Sequence, residues 1–232
     1  FRLLGPLEAR VDNRLIALGG VRQRGLLALL LLRANEVVSR DRLIDELWRD
    51  HAPETAANAL AALVARLRRV LPAEVLVTRS GGYEAQVERD AIDVHRFERL
   101  LGTGSRALAE GDPAGAAEQL RSALSLWRGA PLADFTYEPF AEPVILRLEE
   151  LRLGALENRI DADLALSRHS DLIGELQPLV LEHPLRERFR GQLMLALYQS
   201  GRQAEALETY RDGRRVLLDE LGIDPSPALQ EL

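Results

Sequence analysis

The sequence contains neither cysteine nor lysine. Without cysteine, the chain has no disulfides, no thiolate metal sites and no cysteine nucleophile. All 30 basic residues are arginines, a bias for which a GC-rich genome is the simplest explanation. Aromatic residues are also scarce, at 5%. Leucine and alanine dominate instead, which favours helices.

Long apolar runs are missing as well. The longest, Leu26–Leu32, is far shorter than the roughly 18 residues that a membrane-spanning helix needs. Phe1 begins a strand-like segment rather than a signal peptide. We therefore expect a cytoplasmic protein with no membrane attachment. Because the chain does not start with methionine and stops abruptly at Leu232, we also expect the natural protein to be longer.

The length and the charge distribution indicate two domains. A chain of 232 residues with 47% hydrophobic residues can form two packed cores. Taken alone, its net charge of −6 argues against the binding of nucleic acid. However, the two parts of the chain differ in charge. Residues 1–94 hold 14 arginines and 13 acidic residues, whereas residues 95–232 hold 16 arginines and 23 acidic residues. Only the first part can approach a phosphate backbone without strong repulsion.

The pattern of residues 1–90 predicts a winged helix. Short strands are expected up to residue 18, with a turn at Asp12-Asn13. Alternating residues around Ser80-Gly81-Gly82 predict a terminal hairpin. Between them, helical spacing of leucines and suitable end residues predict three helices, over about 22–33, 39–48 and 54–71. Strands, three helices and a hairpin in this order make up a winged helix-turn-helix.

Residues 93–232 are expected to be entirely helical. Breakers such as His183-Pro184 separate the predicted helices, and Gly102-Thr103-Gly104 is interpreted as a kink or a break between helices. A repeat is visible when the segment around His169 is compared with that around Gly201, which is an offset of 32 residues. That offset is close to the roughly 34-residue tetratricopeptide period, so we predict a tetratricopeptide-like helical superhelix. The predicted domains are thus 1–90 and 93–232.

Arginines near the end of the third helix suggest a DNA-binding surface. A recognition helix docks its apolar side on the core and directs polar groups at phosphates and base edges. Arg66, Arg68 and Arg69 supply the cations, and Thr78 and Arg79 lie on the hairpin. The alternative is that these arginines form an ordinary solvated helix face without a ligand. The order of strands, three helices and a hairpin argues against this alternative.

The chain resembles the Streptomyces antibiotic regulatory protein (SARP) family over nearly its whole length. That family joins an OmpR-type winged helix, a type also used as the output domain of phosphorelays, to a bacterial transcriptional activator domain (BTAD). The ordered set of motifs is specific, although each motif alone is modest. In the first half it comprises Leu4-Gly5-Pro6-Leu7, Arg42-Leu43-Ile44-Asp45-Glu46-Leu47-Trp48, Arg66-Leu67-Arg68-Arg69-Val70-Leu71, and Thr78-Arg79 with Gly82-Tyr83. In the second half it comprises Leu126-Trp127-Arg128-Gly129, His183-Pro184-Leu185-Arg186-Glu187, Ser200-Gly201-Arg202-Gln203-Ala204-Glu205-Ala206-Leu207, and Leu221-Gly222-Ile223-Asp224-Pro225.

The resemblance implies a transcription activator. The residues themselves predict no enzymatic activity, cofactor or metal, because no constellation of side chains supports catalysis and none of the four histidines has the i, i+4 spacing of a zinc site. The resemblance implies binding of double-stranded promoter DNA at direct repeats, usually as a homodimer. It also implies contact with RNA polymerase through the loop after the second helix, here Arg49, Asp50 and His51. Family phosphate or base contacts match Arg66 and Arg68, and wing contacts match Thr78 and Arg79.

One departure concerns the outer face of the third helix. Family members usually carry polar residues there, whereas this chain has Ala59, Ala61 and Ala65, with Leu63 where His or Tyr is common. Asn58 is the one amide left to pair with an adenine edge. Because each good bidentate pair supplies about 1–3 kcal/mol of discrimination, we predict a weak sequence preference. The alternative function is a protein-interaction scaffold in which the helical repeats act and the winged helix hardly reads DNA.

Overall fold

The computed structural model describes residues 1–232, apart from the side chain of Asp50. The chain forms two compact units, each described here by itself. Unit 1 comprises Phe1–Arg99 and Ala123–Arg152, and unit 2 comprises Leu100–Ser122 and Leu153–Leu232. Unit 1 therefore takes residues from both sequence domains, and the division into domains 1–90 and 93–232 stays a prediction.

Unit 1 begins with a two-stranded hairpin. Strands β1 (Ala9–Val11) and β2 (Arg14–Ile16) pair antiparallel, with Val11 opposite Arg14. The two residues between them, Asp12 and Asn13, have positive φ angles of 48° and 63°. Positive φ angles at both positions are those of a type I′ two-residue hairpin loop, and Asp and Asn tolerate this conformation better than most residues. The predicted turn at Asp12-Asn13 is therefore confirmed.

The three predicted helices of the winged helix are present. They are α1 (Val21–Leu31), α2 (Arg40–Trp48) and α3 (Ala56–Arg68). Helix α1 buries every residue from Gly25 to Leu31, so it forms the centre of this core. The Ser39 hydroxyl accepts a hydrogen bond from the backbone N–H of Arg42 at 3.2 Å, which confirms Ser39 as the N-cap of α2.

The wing is a hairpin within a three-stranded sheet. Strands β3 (Val38–Ser39), β4 (Leu76–Arg79) and β5 (Gly82–Ala85) are arranged in the order β3-β5-β4. A Cβ atom added at Gly82 would lie 2.1 Å from the carbonyl oxygen of Val38, so only glycine lets β3 and β5 approach this closely. The sequence predicted the hairpin but not β3.

Residues beyond the winged helix complete unit 1 by packing on its first strand segment. The carboxylate of Asp93 accepts hydrogen bonds from the backbone N–H groups of Leu3 and Leu4, at 2.7 and 3.0 Å. The guanidinium of Arg128 donates to Glu8 and to the carbonyl of Pro6, each at 2.9 Å. Burial raises the pKa of Asp93, although both backbone donors act in the opposite direction.

The rest of the described chain is helical. The helices are α4 (Asp93–Ala109), α5 (Pro113–Leu124), α6 (Glu142–Ala165), α7 (His169–Glu182), α8 (Glu187–Gln199), α9 (Gln203–Leu221) and α10 (Pro227–Glu231). Short 3-10 turns occur at Arg49–His51, Arg89–Ala91 and Ala133–Phe135. In unit 2, α7, α8 and α9 pack consecutively on one another, as helices of a tetratricopeptide-like array do.

Helix α4 runs through Gly102-Thr103-Gly104, so of the two predicted alternatives, a kink or a break, the break is wrong. A Cβ atom added at Gly104 would lie 2.6 Å from Cγ of Leu120 on α5. The glycine thus permits close helix packing within unit 2 instead of ending the helix. Helices tolerate a glycine at a cost of about 1 kcal/mol, which close packing can offset.

A buried carboxylate, Asp163, ties the helices of unit 2 together. It accepts hydrogen bonds from Arg121 on α5, Arg159 on α6 and Arg168 just before α7. Burial alone would raise the pKa of Asp163, but the hydrogen bonds from Arg168, Arg121 and Arg159 outweigh it and lower the pKa. Nearby, Ile160, Leu176 and Phe189 lie in the apolar core of the same unit.

Candidate nucleic-acid interface

The outer face of α3 is smooth and nearly free of long polar side chains. Asn58, Ala62, Ala65 and Arg69 are exposed and follow one another along the helix at positions i, i+4, i+7 and i+11, which places them on one face. Ala61 is exposed beside them, and Ala59 is half-buried. The side chain of Asn58 has no hydrogen-bond partner among the described residues, so its amide is available to a ligand.

The structure corrects the sequence analysis at Leu63. Leu63 was expected on the outer face, at the position where family members commonly carry a polar His or Tyr that can contact bases. It is only 8% exposed. It packs into the core together with Leu60, Val64 and Leu67. Positions 60, 63, 64 and 67 follow the apolar spacing of a helix, so Leu63 belongs to the inner face.

Two arginines at the end of α3 are free to meet an anion. Arg66 and Arg69 are exposed, and neither forms an ion pair within the described part of the chain. Arg69 continues the line of Asn58 and Ala65, whereas Arg66 lies at one edge of that face. Two unpaired guanidinium groups at the edge of a smooth helix face suit contacts with phosphate oxygens.

Arg68 connects the recognition helix to the wing. Its Nε donates to the carbonyl oxygen of Leu76 at 3.0 Å, and one Nη donates to the hydroxyl oxygen of Thr78 at 2.7 Å. Both acceptors lie on β4. Arg68 therefore fixes the position of the hairpin relative to the helix and engages the hydroxyl oxygen of Thr78.

The remaining predicted wing residue, Arg79, is paired within the hairpin. Its Nε donates to a carboxylate oxygen of Glu84 at 2.6 Å. The side chain of Arg79 is 44% exposed, whereas that of Glu84 is only 11% exposed. Sequence analysis missed Glu84. The hairpin register was the signal that could have found it, because a turn at Gly81 places Glu84 on the strand beside Arg79.

The loop between α2 and α3 is exposed and has an unusual backbone. Arg49 adopts a positive φ of 50°, which is uncommon for a residue other than glycine. Arg49 and His51 are exposed, and the predicted Asp50 side chain lies outside the described residues. Beside the loop is a cleft of about 810 Å³, whose lining includes Trp48, His51 and Arg66.

The structure thus places the predicted DNA-binding residues at two elements, with four of them on or next to α3 and two on β4. Arg68 joins the end of α3, where Arg66 and Arg69 lie, to β4, where Thr78 and Arg79 lie. Asn58 lies on the same helix, about three turns from Arg69. We call this set of six residues the cationic face.

Neither a metal cluster nor a membrane-spanning helix occurs in the described part of the chain. No three carboxylate, imidazole or thiol side chains there lie close enough to hold a metal ion. No helix in the described part of the chain combines the length and the apolar character that crossing a bilayer requires.

Two family models match the chain. Residues 17–85 match "Transcriptional regulatory protein, C terminal", and residues 92–232 match "Bacterial transcriptional activator domain". The two matched segments cover both the cationic face and the helices that follow it.

Individual relatives are similar over essentially the whole chain. Regulatory protein AfsR of Streptomyces coelicolor is 46% identical over 100% of this chain, which spans 23% of the AfsR length. Regulatory protein DnrI of Streptomyces peucetius is 39% identical over 99% of this chain and 89% of DnrI. Mycobacterium tuberculosis EmbR, solved in complex with a low affinity phosphopeptide, has a TM-score of 0.95 at 36% identity, over 100% of this chain and 62% of EmbR. The chain thus spans about a quarter of the length of AfsR and most of that of DnrI.

Proposed function

The chain belongs to the Streptomyces antibiotic regulatory protein family, and on that premise we propose that it activates transcription by docking α3 and the wing on promoter DNA. The single observation that carries the proposal is the cationic face, in which Arg66 and Arg69 are exposed at the end of α3 and Arg68 bonds that helix to the hairpin. Docking a helix in the major groove requires such an outward face with phosphate-binding groups at its edge. DNA binding would place the protein in the bacterial cytoplasm, and no part of the proposal requires catalysis or a cofactor.

Salt dependence of DNA binding tests this proposal against the scaffold alternative. A protein that neutralises several phosphates loses affinity steeply as salt rises, with a slope near −0.9 per contact. We therefore expect binding of the whole chain to a mixed-sequence duplex, measured by fluorescence anisotropy, to weaken steeply between about 50 and 200 mM salt. A chain that binds no duplex at the lowest salt would be a scaffold instead.

We propose that the sequence preference of this binding is weak. The exposed face of α3 offers Asn58 and the methyl groups of Ala61, Ala62 and Ala65. Alanine contributes apolar contact with thymine methyl groups, whereas bidentate hydrogen bonds carry most of the discrimination. Selection from a randomised duplex library tests this. A sharp consensus within a single half-site would contradict it, whereas a preference for the spacing of two half-sites would not.

Promoter binding at direct repeats as a homodimer is part of the proposal. Two copies on a direct repeat would follow one face of the duplex, with half-sites separated by about one helical turn, or 10–10.5 base pairs. Sedimentation of the chain with duplexes carrying two sites at stepped separations tests this. A second copy should bind best at one-turn spacing, and equal binding at every separation would argue for independent monomers.

We further propose that the loop after α2 contacts RNA polymerase. The loop is supported by its exposed residues Arg49 and His51 and by the adjacent cleft, which combines the indole of Trp48 with the cation of Arg66. Aromatic groups and arginines are the residues that contribute most to protein interfaces. In vitro transcription with variants of this loop separates the polymerase contact from DNA binding.

A further inference from the structure

The ion pair between Arg79 and Glu84 lies on one face of the wing. Arg79 is directly opposite Gly82 in the hairpin, and Val77 is opposite Glu84. Paired residues project to the same face of a sheet. Because Gly82 has no side chain, the Arg79 side chain can lean across to Glu84, its diagonal neighbour, and donate from Nε at 2.6 Å.

We propose that Glu84 attenuates the contact between the wing and DNA by neutralising and orienting Arg79. This inference rests on the proposed function, because it concerns the same DNA-binding face. Glu84 would act through Arg79 and would not itself contact DNA. The wing would then contribute less to phosphate binding than its exposed arginine alone suggests.

The geometry leaves Arg79 able to reach a phosphate, but with its charge offset. Only Nε is bonded to Glu84, and neither Nη group has a hydrogen-bond partner within the described part of the chain. A phosphate that binds these Nη groups must approach the Glu84 carboxylate, and like charges repel. The pair as a whole carries no net charge, so it would release little of the counterion atmosphere of DNA.

Glu84 is poorly placed to move away when a phosphate arrives. Its side chain is 11% exposed, against 44% for Arg79. A buried carboxylate that loses its partner remains as an uncompensated charge, which is strongly unfavourable. The carboxylate therefore stays beside Arg79 in the complex. In contrast, Arg66 and Arg69 have no acidic partner among the described residues and keep their full charge.

A comparison of single and double variants tests the proposal. Glu84→Gln keeps the shape of the side chain and removes its charge. The double variant with Arg79→Gln removes both charges together and avoids a buried, unpaired carboxylate. Glu110→Gln is the matched control, because Glu110 is an exposed carboxylate in unit 2. The probe is a mixed-sequence duplex of about 30 base pairs, and its affinity is measured by anisotropy between about 50 and 200 mM salt.

Removal of the Glu84 charge should strengthen DNA binding and steepen its salt dependence. For E84Q we expect the slope of log affinity against log salt to become steeper by about 0.9, and the affinity near 0.1 M salt to rise about eightfold, with equal affinities at 1 M. The double variant R79Q/E84Q should have the same slope as the wild type, and so should the control E110Q. Thermal unfolding checks that each variant is folded. If E84Q unfolds, Glu84→Thr takes its place, because threonine suits a strand. The same change in slope and affinity is expected for it.

Two results would overturn the proposal. One is an E84Q slope equal to that of the wild type, and the other is a double variant that retains the gain of E84Q. Both differ from a failure of the proposed function, in which the wild-type chain itself shows no salt-dependent binding of the duplex.

Discussion

The arginines of the cationic face differ in what they are bonded to, although their residue type is the same. Arg66 and Arg69 are exposed and unpaired within the described residues, so they can exchange solvent ions for phosphates. Arg68 is held by a carbonyl and a hydroxyl of β4, and Arg79 is held by Glu84. At the residue scale, we therefore expect Arg66 and Arg69 to contact phosphates, whereas bonds to the hairpin fix the orientation of Arg68 and Arg79.

The positioning role of Arg68 gives a prediction that separates its geometry from its charge. Arg68→Lys keeps the charge, but an ammonium cannot reproduce the fork that reaches both Leu76 and Thr78. We expect R68K to lose about 1 kcal/mol of stability and to bind duplex DNA more weakly, with an unchanged salt slope. Urea unfolding and anisotropy titrations measure these quantities. Arg69→Lys is the control and should bind like the wild type. An R68K variant with wild-type stability and affinity would show that the two hydrogen bonds do not position the wing.

The sequence indicated which residues form the cationic face but not how they are connected. Arginine spacing on a helix predicts an outward face, and the glycine turn predicts a wing, so Arg66, Arg69 and Thr78 were placed correctly on their elements. The Arg68 bonds to β4 and the Arg79–Glu84 pair depend on how a helix and a hairpin pack together. Leu63 was misjudged because it lies one position from the buried Val64, and both sit on the broad inner stripe of α3.

At the scale of elements, the loop from Arg49 to Thr55 precedes α3 and contains no residue of the cationic face. Its backbone includes the positive φ of Arg49, and its residues are exposed apart from the undescribed side chain of Asp50. Exposed loops held on a rigid scaffold commonly carry functional contacts. The loop and the cationic face can therefore be altered separately.

Substitution of the loop should uncouple activation from DNA binding. We expect the double variant Arg49→Ala with His51→Ala to bind a promoter duplex with nearly the affinity of the wild type, because neither residue belongs to the cationic face. Activation in a purified transcription assay should fall strongly. The assay must include a duplex-binding measurement on the same preparation. Full activation by this variant, or an equal loss of DNA binding and activation, would contradict a polymerase contact at the loop.

The fold was predictable wherever an element was long enough to show a period. The helices of both units and the β4–β5 hairpin meet that condition. Strand β3 has only two residues and exists because Gly82 admits it, so no periodic pattern identified it. The glycine pair in α4 resembled a helix break because the contact that explains Gly104 is made with Leu120, which is remote in the sequence.

The two glycines of α4 provide a matched test of that explanation. A Cβ atom at Gly104 would lie 2.6 Å from Leu120, whereas one at Gly102 would meet nothing within 4 Å. Gly104→Ala should therefore destabilise the protein by about 1–3 kcal/mol through overpacking. Gly102→Ala should stabilise it by up to about 1 kcal/mol, because alanine is the better helix former. Urea unfolding followed by far-ultraviolet circular dichroism measures both, and equal effects of the two variants would contradict the packing role of Gly104.

At the scale of the whole molecule, acidic character and DNA binding coexist because charge is distributed unevenly. The chain has a net charge of −6, yet its first 94 residues are nearly balanced. In unit 2, several acidic residues are used internally, with Asp163 bonded to three arginines. These acidic residues are thus matched locally, and we expect DNA binding to depend on the unpaired cations near the end of α3.

Asp163 should make the stability of unit 2 depend on pH. Because its pKa is lowered in the folded state, it contributes stability above its usual value of 3.8, and that contribution is lost as the pH falls through the lowered value. Asp163→Asn should cost about 3–5 kcal/mol at neutral pH and should flatten the acid limb of the stability curve. Circular dichroism reports the change in helices, whereas both tryptophans lie in unit 1 and report on that unit by fluorescence. An unchanged acid limb would contradict this role.

The central claim is that Arg66 and Arg69 dock on DNA phosphates, and the salt dependence of a double variant tests it most directly. Arg66→Gln with Arg69→Gln is compared with Arg106→Gln with Arg211→Gln, which removes two exposed arginines of unit 2. We predict that the first variant reduces the slope of log affinity against log salt by about 1.8, or 0.9 per contact, and that the second leaves it unchanged. Salt plots with the same slope and affinity for the wild type and for R66Q/R69Q would contradict the claim.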